Sequence, residues 1–95
     1  MLNILVYYKA KSKEDIQGFF EGAKAAKVDE LSRKDKGNVM YDYYFSPDED
    51  KQNEMLLVER WESRDDQQAH LKQPVFAQLG ALKEKYGITT ELVEI

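Results

Sequence analysis

Apolar positions along the chain switch between continuous or alternating runs and helical spacing, and each switch marks a change of element. Residues 2–10 are nearly continuous in Leu, Ile, Val and Tyr, the pattern of a central strand covered on both faces. Ser12 stands three residues before Asp15, which is capping-box spacing, and Ile16, Phe19, Phe20, Ala23, Ala26 and Leu31 then recur as one helical stripe. This predicts a single helix ending near Lys34, with Gly37 supplying the turn. Gly18 and Gly22 weaken that helix by about 1 kcal/mol each relative to Ala and read as surface positions. Residues 38–45 alternate, with Val39, Tyr41, Tyr43 and Phe45 on one face and Met40, Asp42 and Tyr44 on the other. Residues 46–53 are polar and include Pro47, as in an exposed hairpin loop. Residues 54–62 form a third strand that sets Met55, Leu57, Glu59 and Trp61 against Leu56, Val58 and Arg60. Ser63 and Asp66 repeat the capping spacing and open a second helix. Pro74 breaks or restarts it, Val75, Phe76, Leu79 and Leu82 continue its stripe, and Gly87 closes it. Residues 88–95 alternate as a last strand.

The order β-α-β-β-α-β is that of a ferredoxin-like α+β fold, an antiparallel sheet with both helices on one face. Residues 1–95 form one domain. The strands carry apolar residues on both sides while the helices cover only one, so the bare face calls for a partner, and a second copy of the chain is the simplest. A homodimer is expected.

Composition narrows the function. The net charge is −4 and no basic cluster stands out, which argues against nucleic-acid binding. There is no cysteine, so disulfides and thiolate chemistry are excluded, and the absence fits a reducing, cytoplasmic setting. No apolar run approaches the roughly 20 residues needed to span a bilayer. Dinucleotide, P-loop, nucleophile-elbow and zinc-protease motifs are all missing, and a lone His makes a poor metal site, so no cofactor or metal is expected.

The candidate chemistry gathers where the third strand meets the second helix. Trp61 and His70 are the only residues of their kinds. His70 can take or give a proton near neutrality, or can be an idle helix histidine. Glu59 shares a strand face with Leu57 and Trp61, where burial raises a carboxyl pKa and demands a partner. A Glu59–His70 hydrogen bond is one expectation, and a strand-end carboxylate reaching solvent is the other. Trp61 offers an indole N–H and a stacking face, though core packing alone explains a lone Trp. Tyr41, Tyr43 and Tyr44 are phenols able to donate to a carbonyl or quinone oxygen, and Asn38 offers an amide or merely shapes the turn after Gly37.

Taken together, Gly37-Asn38-Val39-Met40-Tyr41-Asp42, Glu59-Arg60-Trp61-Glu62, Ala69-His70-Leu71 and Pro74-Val75-Phe76 resemble the antibiotic biosynthesis monooxygenase (ABM) domain family, including its YgiN-like quinol monooxygenases. The resemblance implies a dimeric α+β barrel and cofactor-independent oxidation of a phenol or quinol by dioxygen, with the substrate in a pocket between sheet and helices. It further implies that Trp61 and Tyr41 line that pocket, that Asn38 holds a substrate oxygen, and that His70 and Glu59 manage the proton. Heme-degrading relatives carry a histidine after the second-helix Phe, where this chain has Ala77-Gln78-Leu79-Gly80. An isomerase of a phosphorylated autoinducer and a non-catalytic small-molecule-binding dimer are the competing expectations.

Overall fold

A computed structural model describes residues 1–95. The elements are β1 (Leu2–Lys9), α1 (Lys13–Ala25), α2 (Val28–Arg33), β2 (Asn38–Tyr44), β3 (Glu54–Trp61), α3 (Arg64–His70), α4 (Val75–Tyr86) and β4 (Thr89–Glu94), with a short 3-10 turn at Glu49–Lys51 in the β2–β3 loop. The four strands are antiparallel in the order β2-β3-β1-β4, which is the ferredoxin-like topology expected from the pattern. No helix is long and apolar enough to cross a membrane.

β1 and β3 lie at the centre and alternate strictly. Leu2, Ile4, Val6 and Tyr8 point with Met55, Leu57, Glu59 and Trp61 into the helix layer, where Ile16, Phe19, Ala23, Val28, Val75 and Leu79 meet them. Within one chain the helices cover only one face of β1. Asn3 and Leu5 stay half-buried and Tyr7 is exposed on the bare side.

The sequence pattern misleads at three places, each for a physical reason. The expected single first helix is two, because Lys27 adopts the left-handed conformation (φ 60°) and caps the start of α2. The break turns the helical phase, so Val28 and Ser32 go inside and Leu31, expected in the stripe, is left 44% exposed. In β2 a register irregularity between Asn38 and Met40 sets Asn38 opposite Trp61 and Met40 opposite Arg60. Val39 is the extra residue of this bulge and lies 50% exposed, while Asn38 takes the helix-side position.

The third concerns the glycines of α1. A Cβ on Gly18 would fall 2.8 Å from Cζ of Tyr86, and one on Gly22 would fall 2.6 Å from Cδ2 of Leu82. They are the close-approach face on which α4 packs. The capping expectations are met: Ser12 accepts from the Asp15 amide and Ser63 from the Asp66 amide, both at 3.1 Å.

Gly18→Ala is accordingly expected to lower stability by about 1–3 kcal/mol through overpacking, despite the gain in helix preference. In a Tyr86→Ala background the same change should become neutral or stabilising. Urea melts of the four proteins in this cycle test it, and a stabilising Gly18→Ala beside an intact Tyr86 contradicts the packing.

Candidate active site

The end of β3 and the end of α3 bring the lone indole and the lone imidazole together. The alternation that puts Leu57 inside also puts Trp61 inside, and the cap at Ser63 starts α3 so that His70, in its last turn, faces the sheet. Their ring centroids are 4.5 Å apart, Trp61 has no exposed surface, and neither does the His70 side chain. Phe76 of α4 meets the imidazole edge-on at 4.6 Å, and Tyr41 of β2 lies 5.7 Å away.

The hydrogen bonds differ from the expectation. Glu59 does not reach His70. Its Oε1 accepts the indole N–H of Trp61 at 3.0 Å, one strand position pair along the same face. The imidazole is held instead by Asp35, whose Oδ2 lies 2.7 Å from Nδ1. A carboxylate only accepts, so in the neutral ring the proton sits on Nδ1 and Nε2 keeps its lone pair. That Nε2 is buried and has no hydrogen-bond partner. Asp35 went unrecognised in the sequence because it sits in the charged run Lys34-Asp35-Lys36, where nothing distinguishes it from a solvated residue, and its partner lies 35 positions away.

Burial also sets the protonation of the cluster. Glu59 is pushed above the usual carboxylate range by desolvation, and the indole bond only partly offsets this. His70 is pushed below the ordinary imidazole value by desolvation, with Asp35 pulling it back part of the way. Tyr41 is driven far above the phenol range, first by burial and then by the charges of Tyr8, Tyr43 and Glu59. Tyr41 therefore stays a neutral phenol, able to hydrogen-bond but not to give up its proton, which leaves His70 and Glu59 as the titratable groups of the cluster. Asn38 lies opposite Trp61, half-buried, with its Nδ2 committed to the Met40 carbonyl at 3.2 Å. Only its side-chain oxygen remains for a ligand.

The space between sheet and helices, expected to hold the substrate, is filled by these rings, and no cavity borders Trp61, Tyr41, Glu59 or His70. The nearest open volume, about 360 Å³, is a groove between the end of α2 and the start of α4, with Asp35, Gln73 and Val75 in its wall. No group of His, Asp or Glu is arranged to hold a metal ion.

An α+β domain of ferredoxin topology with a buried, acid-held imidazole beside an indole is thus defined. Residues 1–81 match the model of the antibiotic biosynthesis monooxygenase (ABM) family, and the chain belongs to that family. No curated protein matches it. Among solved structures, one described as an antibiotic biosynthesis monooxygenase superposes with a TM-score of 0.81 at 19% identity, covering 100% of this chain and 96% of that one. A conserved Bacteroides thetaiotaomicron protein of unknown function gives 0.79 at 21% identity, with 99% and 96% covered. SnoaB of Streptomyces nogalater, a cofactor-independent oxygenase, gives 0.69 at 16% identity, with 99% and 89% covered. At these identities the likeness is one of fold.

The two shifted groups give opposite pH signatures. Glu59 binds its proton more tightly when folded, so its contribution to stability is present below the unfolded value of 4.5 and is lost as pH rises through the raised value. His70 binds its proton less tightly when folded, so its contribution is present above 6.5 and is lost as pH falls toward the lowered value. Denaturant melts from pH 4 to 8 should show Glu59→Gln gaining on the wild type as pH rises and His70→Gln flattening the acid limb. Parallel profiles for all three proteins contradict the burial argument.

Proposed function

We propose that the protein is a cofactor-independent monooxygenase that oxidises an aromatic phenol or quinol with dioxygen. The observation that carries this reading is the His70 imidazole, fixed through Nδ1 and presenting an unpartnered Nε2 among Trp61, Tyr41 and Phe76. Such a base suits a substrate that must lose a phenolic proton before it can react. The resulting anion supplies electrons to dioxygen from its own ring carbon. One oxygen atom stays on the ring and the other leaves as water. A water-excluding aromatic enclosure protects the carbanion and peroxy stages from premature protonation.

In this reading Trp61 and Tyr41 form the aromatic wall, and the Asn38 amide oxygen meets a substrate hydroxyl. His70 takes and returns the substrate proton, and Glu59, whose carboxyl burial pushes upward, is the second proton-handling group. The substrate reaches Nε2 from the groove by displacing Phe76 and the exposed link 71–74 between α3 and α4. Family membership and the fold shared with SnoaB support the reaction class.

A binding-only role draws support from the closed packing of the rings. A phosphorylated substrate is less favoured: Lys24 and Arg33 are both tied to the buried Asp29, at 2.7 and 3.4 Å, Lys36 is turned to Asp66 at 3.8 Å, and Lys34 is the single cation in the groove wall. The bare sheet face, with half-buried Leu5, Met40, Leu56 and Val58 and exposed Tyr7 and Tyr44, is assigned to a second copy of the chain, and the dimer to the cytoplasm.

Metal-stripped, flavin-free protein is expected to take up oxygen with a panel of hydroquinones and polycyclic phenols. His70→Gln should lower kcat by about 10²–10⁴, the usual share of a general base. Uptake that is unchanged in both His70→Gln and Trp61→Phe removes the site, and absence of uptake with saturable binding leaves the binding-only role. Val58→Glu on the bare face should turn a dimer into a monomer in sedimentation equilibrium; a wild type that is monomeric at 100-fold dilution steps throughout refutes the pairing.

A further inference from the structure

Asp35 is the one residue that belongs both to the buried ring cluster and to the groove. Its side chain is 18% exposed and lines the groove with Leu31, Lys34, Gln73, Pro74 and Gln78. Its Oδ2 is 2.7 Å from His70 Nδ1, and His70 has no other hydrogen bond from its ring. The three rings around the imidazole offer no route for a proton: Trp61 spends its N–H on Glu59, Phe76 has none, and the Tyr41 phenol is held protonated by burial. We propose that Asp35 is the positioning and proton-relay residue of His70, and that the groove it lines is the solvent port of the buried base.

The relay balances in protons. A proton taken at Nε2 makes an imidazolium. Its Nδ1 proton passes to Oδ2 of Asp35 and from there to water in the groove, leaving an Nε2–H imidazole. When Nε2 gives its proton to a departing oxygen, Nδ1 regains one through Asp35, and the starting tautomer returns. The charged groups around the path are few. Lys34 flanks Asp35 in the groove wall, Lys36 is turned to Asp66 at 3.8 Å, and Glu59 lies behind Trp61 on the sheet side. None of them contacts the imidazole, so its tautomer is set by Asp35.

The role in turnover rests on the reading of His70 as a base, but the relay is testable in the resting protein. The chain has one histidine, so its imidazole nitrogens give a single pair of NMR signals. In wild-type protein labelled with nitrogen-15, Nδ1 is expected in the protonated form and Nε2 in the lone-pair form. Asp35→Asn should mix the tautomers and lower the imidazole titration midpoint by about one pH unit or more, because a carboxylate beside an imidazolium favours it. Asp35→Glu should restore both. A bulky Gln78→Trp in the groove wall should slow exchange of the Nδ1 proton with water at least tenfold while leaving the tautomer unchanged. A wild-type Nε2–H tautomer overturns the proposal whether or not any variant folds, as does a folded Asp35→Asn protein with wild-type tautomer and midpoint. Failure of oxygen uptake with intact NMR behaviour removes the oxygenase reading and leaves the relay. Intact uptake in Asp35→Asn with an unshifted pH profile removes the relay and leaves the oxygenase.

Discussion

The hydrogen bond between Asp35 and His70 ties the loop after α2 to the end of α3 inside the ring cluster. An imidazole without solvent contact needs a partner for at least one nitrogen, since an unmet buried polar group costs about 1–3 kcal/mol. That partner arrives from the loop after α2. It can do so only because the chain breaks its helix at Lys27 and turns at Gly37, where φ is +80°. A Cβ at Gly37 would collide with the Asp66 carboxylate, so the same glycine lets the loop press against the start of α3. The Glu62 amide, donating to the Gly37 carbonyl at 2.8 Å, ties this turn to the end of β3. One bond thus registers the α2–β2 loop, the β3–α3 corner and the imidazole against each other.

The buried ion cluster behind β2 serves the same end. Asp29 is fully enclosed and is met by Lys24 and Arg33, while Arg33 also donates to the Tyr41 carbonyl at 3.1 Å and to Asp42 at 3.0 Å. The guanidinium therefore fixes α2 to β2 at the position where Tyr41 enters the ring cluster. Removing one partner of such a pair is more destructive than the pair is stabilising, because the other charge stays buried. The broken helix is thereby held at the angle that delivers Asp35.

These dependencies explain what could be read from the chain. Strand alternation fixes side within an element, so the shared inward face of Leu57, Glu59 and Trp61 was legible, and a capped helix directly after Trp61 made the approach of His70 legible too. The resemblance in the motifs around these residues was enough to suggest the family. What escaped were features decided between elements. The left-handed Lys27 has no strong local signal, since Gly or Asn is the usual residue there. Val39 looked like an inward residue because a bulge changes phase without changing composition. Gly18 and Gly22 looked like surface positions because only α4, packing across them, shows otherwise. Glu59 was the obvious partner for His70 in one dimension, yet the indole two residues along its own strand is nearer, and the distant Asp35 takes the imidazole.

Burial moves the two buried proton-carrying groups in opposite directions, and this has a chemical consequence. A carboxyl raised and an imidazole lowered are both shifted toward their uncharged forms, a proton donor in the one case and a lone-pair acceptor in the other. In an open, hydrated site the same residues would settle as carboxylate and partly charged imidazole, and neither would be available in the useful form. Dense packing of the rings is therefore the condition for this pairing, and the absence of an internal cavity in the resting chain follows from it. A ligand that replaces Phe76 against the imidazole with another aromatic face keeps the water out and preserves both forms. One that brings water with it ionises Glu59 and cancels the arrangement. On the proposed reading the site would therefore favour flat, weakly hydrated rings that turn a hydroxyl toward Nε2, because desolvation acts before any specific contact is made.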